Sequence, residues 1–166
     1  MQLQNFTPAI YNKVLGIYKN SIQLRELITE LLDFRKQEQG HMKIKVSPHN
    51  IVNFLYENYL LFLEYASAKQ ISLYFEKETD SLEVWYDQKQ MQKVINNLLS
   101  NAIKFTENGG VSLRTDYDNS ILTLIVEDTG TGMTKEEQQR VFGAFERLSN
   151  AAAKDGFGLG LSIVQR

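Results

Sequence analysis

Glycine is distributed very unevenly along this chain. Eight of the ten glycines lie after residue 108, and only Gly16 and Gly40 precede them. Glycine weakens regular elements but permits turns and close approach of backbones. The first third of the chain is therefore built differently from the rest, and we expect a long helix followed by a glycine-punctuated layer of strands and helices.

The first forty residues carry a heptad pattern. Apolar residues recur at alternating steps of four and three, with Ser21 the one polar member of the series, and they are Ile10, Val14, Ile17, Leu24, Ile28 and Leu31. This spacing predicts a helix with an apolar seam. Additional apolar residues widen the stripe, which favours a helical bundle over a two-stranded coil. We expect the helix to run from about Pro8 to Gln39, with Gly40 as its stop.

The remaining sequence alternates between strand and helix patterns. Asn50 and Asp87 are predicted to begin the second and third helices, Pro48 is predicted to end the first strand, and Asp118-Asn119 predicts a hairpin. The expected strands are 42–47, 71–76, 82–86, 111–117 and 121–127, and the expected helices are 51–69 and 88–105. Strands outnumber crossover helices, so the sequence predicts an α+β fold: a two-layer sandwich with a mixed sheet covered on one face by helices.

Composition excludes several classes of protein. The chain has 18 Lys and Arg against 20 Asp and Glu, a formal net charge of −2, and no basic cluster that could bind nucleic acid. It has no cysteine, which excludes disulfides and thiolate metal sites. No apolar run approaches the roughly 20 residues that span a bilayer, and the first residues do not form a signal peptide. Any membrane contact is expected through segments outside this chain.

The third helix carries the first candidate site. Asn97 and Asn101 lie four residues apart and therefore share a helical face, with Lys104 nearby. Their amide oxygens and the ammonium group could hold a hydrated divalent cation and a phosphate. The alternative is a pair of solvated amides.

The second candidate site follows the last predicted strand. There an apolar run ends in Asp128, Gly130 and Gly132, after which Thr134 and Glu137 predict a capping box. A carboxylate at a strand end beside glycines can approach a planar ligand closely. The alternative is a turn closed by an Asx hydrogen bond.

The third candidate site is a glycine repeat before an apolar helix start. Gly156, Gly158 and Gly160, followed by Leu161, would present backbone N–H groups that suit phosphate. No dinucleotide-binding G-x-G-x-x-G and no P-loop is present. Between the second and third sites lie Phe142, Phe145 and Arg147, and either phenylalanine taken singly could belong to the core.

In this order the four blocks resemble the ATP-binding catalytic domain of sensor histidine kinases, within the superfamily shared with gyrase, mismatch-repair and heat-shock chaperone ATPases. The resemblance implies the ATP-binding (Bergerat-type) fold for residues 46–166, without its usual C-terminal end. It implies that residues 1–45 are a linker and the second helix of a dimerisation and phosphotransfer domain. Homodimerisation through the long helix follows from the same resemblance.

The resemblance also assigns roles to individual residues. It matches Asn101 to the magnesium ligand, Asn97 to the catalytic position one turn earlier, and Asp128 to the carboxylate that binds the adenine amino group. Further matches are Lys104 and Arg147 as charges near the phosphates, Phe105, Phe142 and Phe145 as residues flanking the nucleotide, and Gly130, Gly132, Gly156, Gly158, Gly160 and Leu161 as its backbone cradle. Residues 148–157 would form a lid over the site.

The implied function is transfer of the γ-phosphoryl of Mg-ATP to a histidine, for relay to the receiver domain of a response regulator. The family's acceptor segment is not found here, and His41 and His49 are expected to be surface residues. The chain would then be the cytoplasmic portion of a membrane-anchored sensor. Two alternatives remain: an ATPase of the same superfamily, disfavoured because Asn97 stands where those enzymes carry a Glu base, or a dimerisation scaffold with a vestigial nucleotide site.

Overall fold

The computed structural model describes residues 7–40, 42–146 and 158–165, and the chain divides into two compact units, residues 1–42 and 43–166. The first unit contains helix α1, Pro8–Glu38. Gly40 ends this helix in the left-handed region at φ 65°, which glycine adopts without strain. The predicted long helix is therefore present, and it ends one residue earlier than expected.

The second unit holds five strands and four helices among its described residues. Asn50 caps α2 by accepting from the N–H groups of Val52 and Asn53, as its position in the sequence predicts. In chain order the elements are β1 Ser47–Asn50, α2 Ile51–Ala68, β2 Ser72–Lys77, β3 Glu83–Tyr86, α3 Gln88–Phe105, β4 Gly110–Asp118, β5 Ile121–Asp128, α4 Lys135–Arg140 and α5 Gly160–Gln165.

The strands form a mixed sheet and a small ribbon. The sheet has the order β2-β4-β5, in which β2 pairs parallel and β5 antiparallel with β4. The separate ribbon pairs β1 with β3 in antiparallel register. Alternate residues of β4 are buried, and they pack with α2 and α3 into one core that includes Leu55, Ile95, Leu99 and Leu113. The predicted α+β fold, a mixed sheet with helices, is confirmed.

The prediction for the first strand was wrong. Residues 42–46 form no strand, and β1 instead begins at Ser47 and includes Pro48, which lies opposite Trp85. Proline lacks an N–H donor, but a strand in a two-stranded ribbon has one side without a partner strand, so the missing donor is tolerated there. His49 consequently lies in β1 rather than in a loop. Its ring contacts Tyr86 edge-on, and its Nε2 hydrogen bonds with the Ser47 hydroxyl at 2.7 Å.

The hairpin between β4 and β5 turns one residue later than predicted. Its two central residues are Asn119 and Ser120, with φ values of 50° and 65°. Two successive residues at positive φ form the turn type whose twist matches a two-residue hairpin. The strands therefore pair from Asp118 opposite Ile121 to Val111 opposite Asp128.

None of the helices in the described ranges combines the length and apolar character needed to cross a membrane.

Candidate functional site

Helix α3 positions the first group of predicted site residues. Asp87 caps it, and its Oδ1 accepts from the N–H groups of Lys89 and Gln90 at 3.0 and 3.1 Å. The N–H group of Lys45, followed by that of Gln90, lowers the pKa of the Asp87 carboxyl because these hydrogen bonds favour the charged form. One face of the helix is buried in the core.

Asn97 and Asn101 flank that buried face. The Asn97 amide donates to the Lys93 carbonyl at 2.9 Å, which leaves its Oδ1 directed away from its own helix backbone. Asn101 is half-buried, and among the described residues its side chain makes no hydrogen bond. Two amide oxygens are therefore available on one side of α3.

The C-terminal end of α3 carries Lys104 and Phe105. The Lys104 ammonium lies 5.0 Å from the centroid of the Phe105 ring, a cation–π distance. The Phe105 carbonyl accepts from the N–H of Thr131 at 3.4 Å, so the helix end is joined to the segment after β5. This contact brings the first and second predicted sites together.

Asp128 is the last residue of β5, and its side chain is exposed. Its Oδ1 accepts from the N–H of Gly130 at 2.9 Å, which is the Asx turn that the sequence left open as an alternative. This turn orients the carboxylate. Oδ2 has no hydrogen-bond partner within the part of the chain that the structure describes.

Glycine is required at position 130 for packing. A Cβ there would lie 2.6 Å from the Phe105 carbonyl oxygen and 2.7 Å from Oδ1 of Asp128. Gly132 differs, because its surroundings are open and its φ of 65° is what favours glycine. The first glycine joins β5 to α3, and the second permits the chain to turn toward α4, whose capping box of Thr134 and Glu137 is present as predicted.

The start of α5 lies directly against Asn97. A Cβ at Gly160 would overlap Oδ1 of that asparagine, so glycine allows the Asn97 side chain to lie directly against the backbone of α5. Leu159 is fully buried and anchors the helix start, while Leu161 is half-buried. The third predicted site thus meets the first one at the Asn97 amide.

The segment that contains Phe142 and Phe145 is hydrogen-bonded to the residues just before α5. The Phe145 N–H donates to the Gly158 carbonyl at 2.8 Å, and a Cβ at Gly158 would lie 2.6 Å from the Glu146 carbonyl oxygen. Arg140 pairs with Glu146 at 2.7 Å and links this segment to α4. Phe145 holds a φ of 64° and is 58% exposed, and Phe142 is 40% exposed. Neither phenylalanine is a core residue.

Two parts of the predicted site lie outside the described residues: Arg147 and the lid segment 148–157, which includes Gly156. His41 lies outside them as well. The described residues contain no group of three or more His, Asp or Glu side chains that could hold a metal ion. An amide oxygen such as that of Asn101 is a hard donor of the kind that magnesium accepts.

Thr129, which follows Asp128, is held by contacts that no sequence pattern predicted. Its hydroxyl accepts from the Gly110 N–H at 3.0 Å and lies within 3.2–3.3 Å of the carbonyl oxygens of Asn108 and Gly110. The available signal was the pair Gly109-Gly110, which faces this threonine across the sheet edge. A β-branched residue between Asp and Gly is ordinary in a strand end, so its local sequence did not single it out.

Comparison with known proteins identifies the arrangement. Residues 86–166 match the family of histidine kinase-, DNA gyrase B- and HSP90-like ATPases. Sensor histidine kinase RcsC of Escherichia coli strain K12 is 33% identical over 172 aligned positions that cover 100% of this chain and 18% of that protein. Residues 86–166 therefore form an ATP-binding catalytic domain of the histidine kinase type, and the chain as a whole is similar to sensor histidine kinases.

Solved structures show the same fold. The full-length ShkA structure, in complex with AMPPNP, has a TM-score of 0.84 at 26% identity, covering 98% of this chain and 34% of that one. Histidine kinase ThkA in complex with the response regulator protein TrrA has a TM-score of 0.67 at 23% identity, covering 89% of this chain and 43% of ThkA. The chain spans less than a fifth of the length of the curated relative RcsC.

Proposed function

We propose that this chain binds Mg-ATP between α3, the end of β5 and the start of α5, and that the whole protein transfers the γ-phosphoryl group to a histidine. The phosphoryl group would then pass to an aspartate of a response-regulator receiver domain. The observation that carries this proposal is the convergence of separate sequence blocks. Gly160 packs against the Asn97 side chain, and Gly130 packs against the Phe105 carbonyl. The Gly158 carbonyl accepts a hydrogen bond from the Phe145 N–H.

The residues present fit a magnesium nucleotide. Gly160 lets the start of α5 pack directly against the Asn97 amide, and backbone N–H groups there could donate to phosphate oxygens. Asn101 supplies an amide oxygen for magnesium, and the exposed carboxylate of Asp128 is placed at a strand end where it can accept from the adenine amino group. Magnesium would neutralise phosphate charge, with Lys104 and Arg147 in the same role.

Phosphoryl transfer of this kind needs positioning and charge neutralisation more than acid–base chemistry. Asn97 cannot accept a proton, so the site offers no base at this position to activate water. An imidazole acceptor is itself nucleophilic and needs no such base. This favours histidine phosphorylation over the alternative of an ATPase that hydrolyses its substrate.

We propose two assemblies for the whole protein. The apolar stripe of α1 would associate with a second copy in a helical bundle, and residues 1–45 would form part of the dimerisation and phosphotransfer domain. A response regulator is the proposed acceptor partner, and the ThkA–TrrA structure of the same fold supports that choice. We expect these residues to lie in the cytoplasmic portion of a membrane-anchored sensor.

Binding of a non-hydrolysable ATP analogue, measured by calorimetry with and without magnesium, tests the nucleotide site. We expect magnesium to tighten binding to the wild-type chain and to have no effect on Asn101→Ala, because alanine offers no oxygen ligand. Metal-free affinity should remain in the variant through Asp128. Asn96→Ala is the matched control, since its exposed side chain hydrogen bonds with Gln92 on the same helix.

A chain that binds the analogue with no magnesium dependence would have a vestigial site, and the scaffold alternative would replace our proposal. If magnesium still tightened binding to Asn101→Ala as much as to wild type, the metal ligand would have to be another residue. Incubating the whole kinase, which would contain the acceptor histidine, with labelled ATP distinguishes hydrolysis from phosphoryl transfer. Acid-labile, alkali-stable label on that protein supports transfer, whereas release of phosphate alone supports the ATPase.

A further inference from the structure

We infer that Thr129 is a positioning residue that sets base specificity: its hydroxyl fixes the end of β5 so that the Asp128 carboxylate is held in one orientation toward the base of the nucleotide. This inference rests on the proposed function, because it concerns how the same site discriminates among purine nucleotides. It assigns a role to a side chain that is not itself proposed to touch the ligand.

Thr129 and Gly110 are joined by two hydrogen bonds. The Thr129 N–H donates to the Gly110 carbonyl at 3.1 Å, and the Gly110 N–H donates to the Thr129 hydroxyl at 3.0 Å. The hydroxyl proton has carbonyl acceptors at Asn108 and Gly110, 3.2 and 3.3 Å away. A single hydroxyl therefore serves as both acceptor and donor at the turn that begins β4.

The turn is shaped to receive this side chain. Gly109 has a φ of 107°, and a Cβ on it would overlap the Thr129 hydroxyl. The Gly109 carbonyl in turn accepts from the Ser72 N–H at 3.0 Å, on the other side of the turn. Through this turn the hydroxyl of Thr129 connects the end of β5 to the start of β2.

Asp128 lies between two features of the chain that tertiary contacts hold in place. On one side Thr129 is locked to the turn, and on the other side of the Asx turn Gly130 packs on the Phe105 carbonyl. Because Asp128 itself is exposed and the last paired residue of β5, local fraying would let its carboxylate rotate. A directional hydrogen bond to an exocyclic amine requires a fixed acceptor, whereas contacts to the phosphates do not involve this carboxylate.

The test compares ATP with purine riboside triphosphate, which lacks only the exocyclic amino group. One charge-assisted hydrogen bond predicts that the wild-type 166-residue chain prefers ATP by about tenfold to a hundredfold. We expect Thr129→Val to reduce this preference to about threefold or less by weakening ATP binding while changing affinity for the analogue little. Thr129→Ser keeps the hydroxyl and should restore the wild-type preference.

Matched controls separate positioning from general stability. Thr123→Val makes the same chemical change on an exposed residue of β5 and should leave both affinities unchanged. Valine at 129 places a methyl group against two carbonyl oxygens, so Thr129→Ala is a second variant in which water can reach the Gly110 N–H. Both Thr129→Val and Thr129→Ala should lose the preference for ATP, and thermal unfolding shows that each variant is folded.

Each outcome decides one claim. If the wild-type chain binds ATP and Thr129→Ala keeps the full preference over the analogue, the inference is wrong while the proposed function stands. Equal weakening of ATP and analogue in Thr129→Ala would also overturn it, because that result indicates a structural role alone. If the wild-type chain binds neither nucleotide, the proposed function itself fails.

Discussion

Helix α1 and the second unit differ in how far their apolar residues are buried. In α1 the residues of the heptad seam are exposed, from 40% at Leu31 to 66% at Ile17. In α3, by contrast, Ile95, Leu99 and Ile103 are fully buried at 0%. A heptad pattern and an amphipathic helix look similar in sequence, but only the second finds its partners among the described residues of its own unit.

The difference indicates that the apolar face of α3 stabilises its own unit, whereas the apolar stripe of α1 stays exposed among the described residues. Isolated helices gain little stability from propensity alone and need a packed face. Helix α3 obtains that face from α2 and the sheet, so the second unit has its own core. The exposed stripe of α1 is instead suited to association with other helices, which accords with the proposed homodimer.

Truncating matched leucines should give the largest contrast between the two regions. Leu99→Ala removes a fully buried side chain and should destabilise the second unit by about 2–5 kcal/mol. Leu24→Ala, at a position 56% exposed, should change the unfolding of that unit by less than about 0.5 kcal/mol. Urea unfolding followed through Trp85, the single tryptophan, reports on the second unit directly. Equal costs for the two variants would remove the contrast.

The next largest effect concerns ligand binding within the second unit. Asp128→Asn should weaken ATP-analogue binding by about tenfold to a hundredfold, because a charged acceptor is lost at an exposed strand end. The unfolding midpoint should change little, since the Asn side chain can still accept from the Gly130 N–H. Calorimetric titration and thermal unfolding of the same samples measure both quantities. Unchanged affinity would show that another residue binds the adenine amino group.

Sequence patterns predicted the elements of the second unit well where caps and periodicity agree. Asn50 and Asp87 cap their helices, Thr134 and Glu137 form their capping box, and the order of strands and helices is as expected. Asx side chains at a helix start act through local hydrogen bonds, so their role is visible without tertiary information. Strand boundaries depend on pairing with other strands and were predicted less accurately. Pro48, for example, was expected to end the first strand but lies within β1.

The site could be predicted only in its components. The glycines of the second and third candidate sites indicated close approach, but not which atoms each glycine would contact. That Gly160 meets Asn97 and Gly130 meets the Phe105 carbonyl depends on how α3, β5 and α5 pack, which no local pattern encodes. Thr129 was missed for the same reason, because its hydroxyl binds a turn some twenty residues away in sequence.

A smaller effect should appear in the self-association of α1. Ile17→Val removes one CH₂ group from an exposed seam residue in each copy, and we expect the dimer dissociation constant to rise by about tenfold, since about 0.8 kcal/mol is lost for each CH₂ group no longer buried in the two copies. Lys19→Ala changes an exposed residue outside the seam and is the matched control. Sedimentation over a dilution series measures both. If the wild-type chain stays monomeric at all concentrations, the seam does not mediate self-association.

The smallest expected effect tests where the second unit begins. The Lys45 N–H donates to Oδ2 of Asp87 at 2.7 Å, while Oδ1 caps α3, so this carboxylate joins residues that precede β1 to the start of α3 within the second unit. These hydrogen bonds, that from Lys45 first, lower the pKa of Asp87 in the folded chain below its ordinary value of 3.8. A lowered folded pKa stabilises the unit above the unfolded pKa, and this stabilisation is lost as the pH falls through the folded value.

Asp87→Asn separates the charge from the cap, because asparagine is also a good N-cap residue but cannot ionise. We expect wild type to unfold at a higher temperature than Asp87→Asn near neutral pH, and the difference to shrink below about pH 4 as the wild-type carboxylate is protonated. Deleting residues 1–42 should leave that pH-dependent difference intact, since Lys45 belongs to the second unit. Loss of the difference in the shortened chain would contradict this expectation, because it would mean that the hydrogen bond between the Lys45 N–H and Asp87 depends on residues outside the second unit.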